Sequence, residues 1–291
     1  MNDQASALRQ IVQNIKNQRA RAPSEGARVV CVTSGKGGVG KTNFTVNLAI
    51  SLSKKGLRVL IIDADFGLAN VDVIMGVTPQ YDLSHVIRHE VGIKEAMFEG
   101  PNGVRIISGG SGVLDLLNLS EAQLSTVVDK LLCMEDVADV ILFDTGAGVS
   151  PNILRLIGAS EEVIVITTPE PTAIMDAYAL IKTVLTNSTG KKIRLVVNKA
   201  ESIAEAHDTM AKFAGVVRLY LKTEVEELGY MLSDPTVARA VRLQRPFVAS
   251  FPKSQVTRDI EAITWKFMDS QPAEEAKGLR RFFGNLMNRA K

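Results

Sequence analysis

The chain has 291 residues, 46% of them hydrophobic, enough for one large domain with a substantial core and no need of a second. Its 34 basic and 32 acidic residues nearly balance, so no global basic footprint marks it for nucleic acid, and no direct nucleic-acid contact is expected. Cys31 and Cys133 stand alone, which excludes a disulfide framework and a C-x-x-C metal or iron–sulfur site; no apolar stretch reaches the roughly 18 residues of a spanning helix, so a cytoplasmic protein is expected.

In chain order, Leu8, Ile11, Val12 and Ile15 repeat at helical spacing, and the stretch from Arg19 to Gly26, with Pro23 and Gly26, reads as a linker. A short amphipathic helix on a leash is a recruitment motif more often than a domain. An apolar run at Val29–Val32 predicts a buried strand, and it leads into Gly35-Lys36-Gly37-Gly38-Val39-Gly40-Lys41-Thr42, which satisfies G-x-x-x-x-G-K-[ST]. Such a loop needs glycines because its backbone N–H groups must converge on phosphate oxygens, and the helix that follows, expected at Thr42–Lys55, adds its positive end. Lys41 is then placed on the β- and γ-phosphates of ATP, and the Thr42 hydroxyl on Mg²⁺. Thr45, one helical turn further on, is counted with the ATP-binding residues.

The strand predicted at Val59–Ile62 runs into Asp63-Ala64-Asp65, two carboxylates at a spacing that leaves a strand end on one side, near the phosphates. One can steady metal-bound water and the other can orient the attacking water. Further apolar runs at Val104–Ile107, Val140–Phe143, Val163–Thr167 and Ile193–Val197 alternate with helix-length segments such as Ser120–Leu132 and Thr172–Thr186. This alternation predicts an α/β fold, a mostly parallel sheet with helices on both faces and ligands beyond the carboxyl ends of its strands. Asp144 ends the Val140–Phe143 strand and reads as the second carboxylate acting on Mg²⁺, with Gly146 to Gly148 as a switch that approaches the γ-phosphate. Asn198 follows the last of these strands, a turn residue or a nucleotide contact. His85, His89 and His207 have no metal-ligand spacing and read as ordinary surface or helix residues.

At the far end, Leu279, Phe282, Phe283, Leu286 and Met287 put one apolar face on a helix predicted over Glu274–Lys291, bordered by Lys277, Arg280, Arg281, Arg289 and Lys291. Basic residues beside two terminal phenylalanines favour a helix lying on an anionic membrane surface over one docked on the protein's own core or on a partner. The expected division is therefore residues 1–26 as a partner-directed helix and linker, 27–270 as the nucleotide-binding domain, and 271–291 as a membrane-targeting helix.

Lys36 to Thr42 also reads K-G-G-x-G-K-[ST], and Asp63 to Asp72 reads D-x-D-x-G-L-x-N-x-D. In both, the chain resembles the deviant P-loop ATPases of the MinD/ParA (SIMIBI) type, a resemblance that covers about residues 27 to 250. It implies an ATP-dependent homodimer in which Lys36 crosses to the partner's phosphates. It also implies a slow Mg²⁺-dependent ATPase, with Asp63 in the metal shell, Asp65 on the hydrolytic water and Asn198 on the adenine edge. Gly146 stands where related proteins carry proline. The string Asp3-Gln4-Ala5-Ser6-Ala7-Leu8-Arg9 resembles the activator segment of the FlhG (FleN) family, MinD-like regulators of flagellar number and placement. That resemblance implies that Asp3, Gln4, Ala5, Leu8 and Arg9 engage an FlhF-type GTPase. It further implies a FleQ-type transcription activator and the flagellar switch complex as partners, and reversible polar association with the inner face of the cell membrane. Two other classes are alternatives: a partition ATPase shares the core motifs, and a metabolic P-loop ligase shares the phosphate loop but would not explain Lys36 or the tail.

Overall fold

A computed structural model of the protein describes residues 26–65, 70–119, 127–128, 131–187, 191–270 and 278–288. Eight strands form one sheet in the order β3-β4-β2-β5-β1-β6-β7-β8. They are β1 (Arg28–Ser34), β2 (Val59–Ala64), β3 (Phe98–Glu99), β4 (Arg105–Ile107), β5 (Val140–Ala147), β6 (Glu162–Thr167), β7 (Lys192–Ala200) and β8 (Glu226–Leu232). All pairings are parallel except the short edge pair of β3 and β4. The central strands read as unbroken apolar runs because helices cover them on both sides. Alternate residues therefore enter different cores: Val30 and Val32 pack with Phe44, Phe247 and Ile260, whereas Val29 packs on the other face with Leu60, Ile62, Ile141 and Phe143.

The six apolar runs correspond to β1, β2, β4, β5, β6 and β7, and the expected sheet is the one observed. β3 and β8 had no such run. β8 is an edge strand whose sequence, Glu-Glu-Leu-Gly-Tyr-Met-Leu, buries few of its residues, and it is held by Asp259, which accepts the Leu232 N–H at 2.9 Å. β5 extends past the expected Phe143, since Asp144 pairs with Asp63, Thr145 with Ala64, and Ala147 with Ser34. The segment Ser120–Leu132 falls largely outside the described residues, as do Asp3, Gln4, Ala5, Leu8 and Arg9.

The first helix after the sheet's central strand, α1 (Lys41–Lys54), is buried along most of its length. After β2 come α2 (Asn70–Met75), α3 (Leu83–Ile87) and α4 (Ile93–Ala96), and after β4 comes α5 (Gly112–Asn118). The crossovers after β5, β6 and β7 are α6 (Pro151–Ala159), α7 (Pro171–Asn187) and α8 (Ile203–Leu221). The chain then runs through α9 (Pro235–Arg242), α10 (Phe247–Ser250) and α11 (Gln255–Asp269). At the amino ends of the strands, Glu162 receives Arg28 at 2.8 Å through both Nε and Nη2, and also pairs with the fully buried Arg194. Arg194 reaches Glu226 at 3.1 Å, and the Arg28 guanidinium lies 3.8 Å from the centroid of the Phe267 ring. This network ties α11 to β1, β6, β7 and β8, at the opposite end from the phosphate loop.

The final helix, α12 (Gly278–Asn288), departs from expectation. Leu279, Phe282, Phe283 and Leu286 are each no more than 2% exposed, and all four belong to the core that contains Phe143, Leu156 and Ile141. Phe282 stacks on Phe143 with ring centroids 4.6 Å apart. The face expected on a membrane is thus docked on the protein itself. The physical reason is that this side of the sheet, next to α6, offers an apolar trough, while polar anchors fix both ends. Glu135 accepts the Leu279 N–H at the helix start, Arg281 pairs with Glu161 at 3.1 Å, and Asn285 donates to the Ala159 carbonyl. Among the described residues, no helix is long and apolar enough to cross a membrane.

Candidate functional site

β1 delivers the chain to residue 35 in the middle of the sheet, where the glycines answer to specific neighbours. A Cβ on Gly35 would lie 2.2 Å from the backbone of Asp176 in α7. Gly38 and Gly40 have φ of +76° and +93°, a region that L side chains avoid. Gly40 caps the start of α1, which sets the loop directly against the positive end of that helix, as an anion cradle requires. A cavity of about 600 Å³ opens there, lined by the loop from Gly37 through Asn43, by Asp65 and Asn70, and by Asn198.

Lys41 and Thr45 leave α1 one turn apart and meet the same carboxylate. Lys41 Nζ lies 3.2 Å from Asp144 Oδ1, and the Thr45 hydroxyl donates to that oxygen at 2.8 Å. Thr45 is fully buried behind the loop, and its hydroxyl holds Asp144 in place beside Lys41. Asp144 is also fully buried, and its Oδ2 has no hydrogen-bond partner among the described residues. A buried carboxylate oxygen left over in this way is suited to a cation or its water.

Asp63 is the β2 neighbour of Asp144 in the sheet register. Its Oδ1 accepts the Asp65 N–H at 3.0 Å and its Oδ2 the Val71 N–H at 3.1 Å, so it ties the end of β2 to the start of α2. Burial, with the charge of Asp144 beside it, pushes its carboxyl up to about 7. Asp65 stands half-buried at the cavity wall and accepts the Asn70 amide at 3.0 Å. A Cβ on Gly146 would sit 3.3 Å from Asp65 Oδ1, so a side chain there would press on the proposed water-orienting group. Thr42 lines the cavity from the first turn of α1.

Among the described residues, no group of three or more His, Cys, Asp or Glu side chains is arranged to hold a metal ion. A Mg²⁺ ion, which keeps several of its waters and takes phosphate oxygens, would draw its few protein ligands from Thr42, Asp144 and Asp63. Bound there, the ion would neutralise charge on the phosphates; the chain's own groups supply the cradle and the orientation.

Two further expected residues make contacts of their own around the loop. Lys36 Nζ reaches outward to Glu170 Oε2 and Thr172 Oγ1, each at 2.8 Å, at the start of α7. The Asn198 amide donates to the Val39 carbonyl at 2.7 Å, which commits it to the loop. Glu170, Lys199 and Ser108, whose hydroxyl holds the buried Asp72 at 2.9 Å, were not legible as site residues. Nothing in their local sequence marks them; only the end-of-strand position of Lys199 offered a signal.

Comparison with known proteins agrees with this geometry. The ParA family model, described as an NUBPL iron-transfer P-loop NTPase, matches residues 26–268. The chain is 38% identical over 245 residues to the antiactivator FleN of Pseudomonas aeruginosa, covering 84% of this chain and 87% of that one. It is 35% identical over 295 residues to the flagellum site-determining protein YlxH of Helicobacter pylori, covering 99% of each. In fold it is similar to MinD in the MinC:MinD complex of Aquifex aeolicus, with a TM-score of 0.67 at 24% identity over 87% of this chain and all of that one. It is also similar to MinD with Mg-ADP from Pyrococcus horikoshii, with a TM-score of 0.65 at 20% identity over 84% of this chain and 96% of that one. The chain therefore belongs to the MinD/ParA family of ATP-binding P-loop ATPases, with FleN and YlxH among its relatives.

Proposed function

We propose that this protein is an ATP-dependent dimerising switch that sets the number and placement of flagella. The observation that carries the reading is the division of labour between two lysines of one loop. Lys41 turns inward to Asp144, whereas Lys36 turns out of its own cradle toward α7. A cation held outside its own site is placed for the phosphates of a second subunit. Two subunits then close face to face over Mg²⁺ and ATP, Asp65 orients the water that attacks the γ-phosphate, and slow hydrolysis reopens the pair.

The flagellar assignment rests on the similarity to FleN and YlxH, whose names record antiactivation and flagellum site determination. On this reading residues 1–26 act on an FlhF-type GTPase through Asp3, Gln4, Ala5, Leu8 and Arg9. The folded body addresses a FleQ-type activator and the flagellar switch complex. Residues 271–291 carry the membrane-directed helix, and its release from the core precedes its use, since the same four side chains serve both. The resulting protein moves between cytoplasm and the inner face of the membrane at a cell pole.

The decisive experiment is light scattering with Mg-ATP. The wild-type protein doubles its mass, and Lys36→Ala remains monomeric while still binding ATP. A Lys36→Ala protein that dimerised like the wild type would overturn the switch.

A further inference from the structure

β7 does not end cleanly. Its register with β8 shifts between Val197 and Ala200, and within that bulge Lys199 takes a φ of +59°, a left-handed conformation seldom adopted by a long side chain. Strain of this kind persists only where the surroundings impose it, and here it turns two consecutive side chains onto one target. Asn198 Nδ2 donates to the Val39 carbonyl at 2.7 Å, and Lys199 Nζ donates to the Gly38 carbonyl at 2.7 Å. The Lys199 N–H donates to Asn198 Oδ1 at 2.9 Å, which fixes the amide's orientation. The fit is close: a Cβ on Gly40 would come within 2.3 Å of the Asn198 amide nitrogen.

We propose that Lys199 is a positioning residue for the phosphate loop, holding the loop-tip peptide so that its N–H faces the phosphates. In a planar trans peptide the C=O and the following N–H point in opposite directions. Drawing the Gly38 and Val39 carbonyls outward onto Lys199 and Asn198 therefore turns the N–H groups of Val39 and Gly40 inward. An anion cradle is built from such successive N–H groups, and it binds best when they need no reorganisation. Lys199 is exposed and its backbone pairs at a bulge, so its ammonium contributes to loop shape rather than to the core.

The inference rests on the cavity being the nucleotide site, and the test separates the two. A fluorescent ATP analogue is titrated with Mg²⁺ into the full-length protein and into Lys199→Met, Lys199→Gly and Lys199→Arg, followed by hydrolysis rates at saturation. Lys199→Met weakens binding about tenfold with kcat within about twofold. Lys199→Gly, which accepts the positive φ without strain but has no ammonium, weakens it equally. Lys199→Arg restores binding to within about threefold. All variants melt within about 2 °C of the wild type without nucleotide, because the side chain buries little surface. Unchanged binding by Lys199→Met, or a loss confined to kcat, overturns the positioning role. A wild-type protein that binds no ATP overturns the site itself.

Discussion

Replacing Phe282 by alanine separates a docked terminal helix from a free one. Phe282 is 2% exposed, stacks on Phe143 at 4.6 Å and meets Phe283 edge-on at 5.3 Å. Truncating a buried phenylalanine costs about 3–5 kcal/mol in a core that cannot collapse around the hole. α12 lies beyond the last sheet-covering helix, so it can leave without parting any strands, and the cost falls on the docking equilibrium rather than on global stability. At about 3 kcal/mol, that equilibrium shifts by about two orders of magnitude. Native-state hydrogen exchange reads this directly: the amides of residues 279–288 lose protection about a hundredfold, while those of β1 and β5 keep theirs. Glu135→Ala makes a graded companion. Removing the acceptor of the Leu279 N–H costs about 1 kcal/mol, as loss of a helix cap does, and lowers protection about fivefold. Exchange in α12 that ignored Phe282→Ala, or loss of protection that spread evenly through the sheet, would refute the docked arrangement.

Asp65→Ala should bind Mg-ATP normally and slow single-turnover hydrolysis by about a hundredfold or more, because it removes the carboxylate on the cavity wall and leaves Lys41, Thr42 and Asp144 in place; an unchanged rate in quenched-flow measurements ends that assignment. Glu162→Gln leaves the buried Arg194 and the partly buried Arg28 short of a counter-charge and should cost about 3 kcal/mol, lowering Tm by roughly 6–12 °C, with ATP affinity unchanged because the network lies at the opposite end of the strands. A melt within 1 °C of wild type, to within about 0.5 kcal/mol, would show the network to be dispensable. Burial pushes the Cys31 thiol up to about 12, so at pH 8 it stays protonated and unreactive, whereas Cys133 is exposed. An aromatic disulfide reagent should then modify a single thiol per chain in the native protein and both in denaturant; rapid modification of both in the native protein would contradict the burial of β1.

The parts of this molecule legible in its sequence are those in which a short segment carries its own constraint. The eight residues from Gly35 to Thr42 specify a loop because glycine, lysine and threonine are each required by the cradle, and Val29–Val32 before them can be little but a buried strand. Asp63, Asp65 and Asp144 were legible for a related reason, since carboxylates at the ends of apolar strands have few structural uses. β8 was missed because an edge strand buries only one face, and its charged residues conceal the alternation. Glu170, Lys199 and Glu135 were missed because their partners lie 134, 161 and 144 residues away, and no local pattern encodes those meetings. The helix α12 shows the same limit from the other side. Its amphipathic pattern was read correctly, but a hydrophobic face says only that it will be covered, not by what.

That ambiguity has a mechanical consequence for the proposed switch. Leu279, Phe282, Phe283 and Leu286 cannot face lipid and Phe143 at once, so the proposed membrane binding would compete with core docking for one surface. A helix that spends most of its time docked binds lipid with its intrinsic affinity reduced by the fraction of time it is free. In the proposed switch, docking would thereby hold a monomer off the membrane without any dedicated inhibitor. Two helices presented together multiply their effective affinity, so dimerisation can offset the same docking cost that keeps a single helix in place. The basic residues that first suggested a membrane are compatible with both states: Arg281 pairs with Glu161 when docked, and Arg280 stands exposed. In that switch the strength of the docked contacts, more than the composition of the tail, would set how far ATP occupancy must rise before the protein changed location.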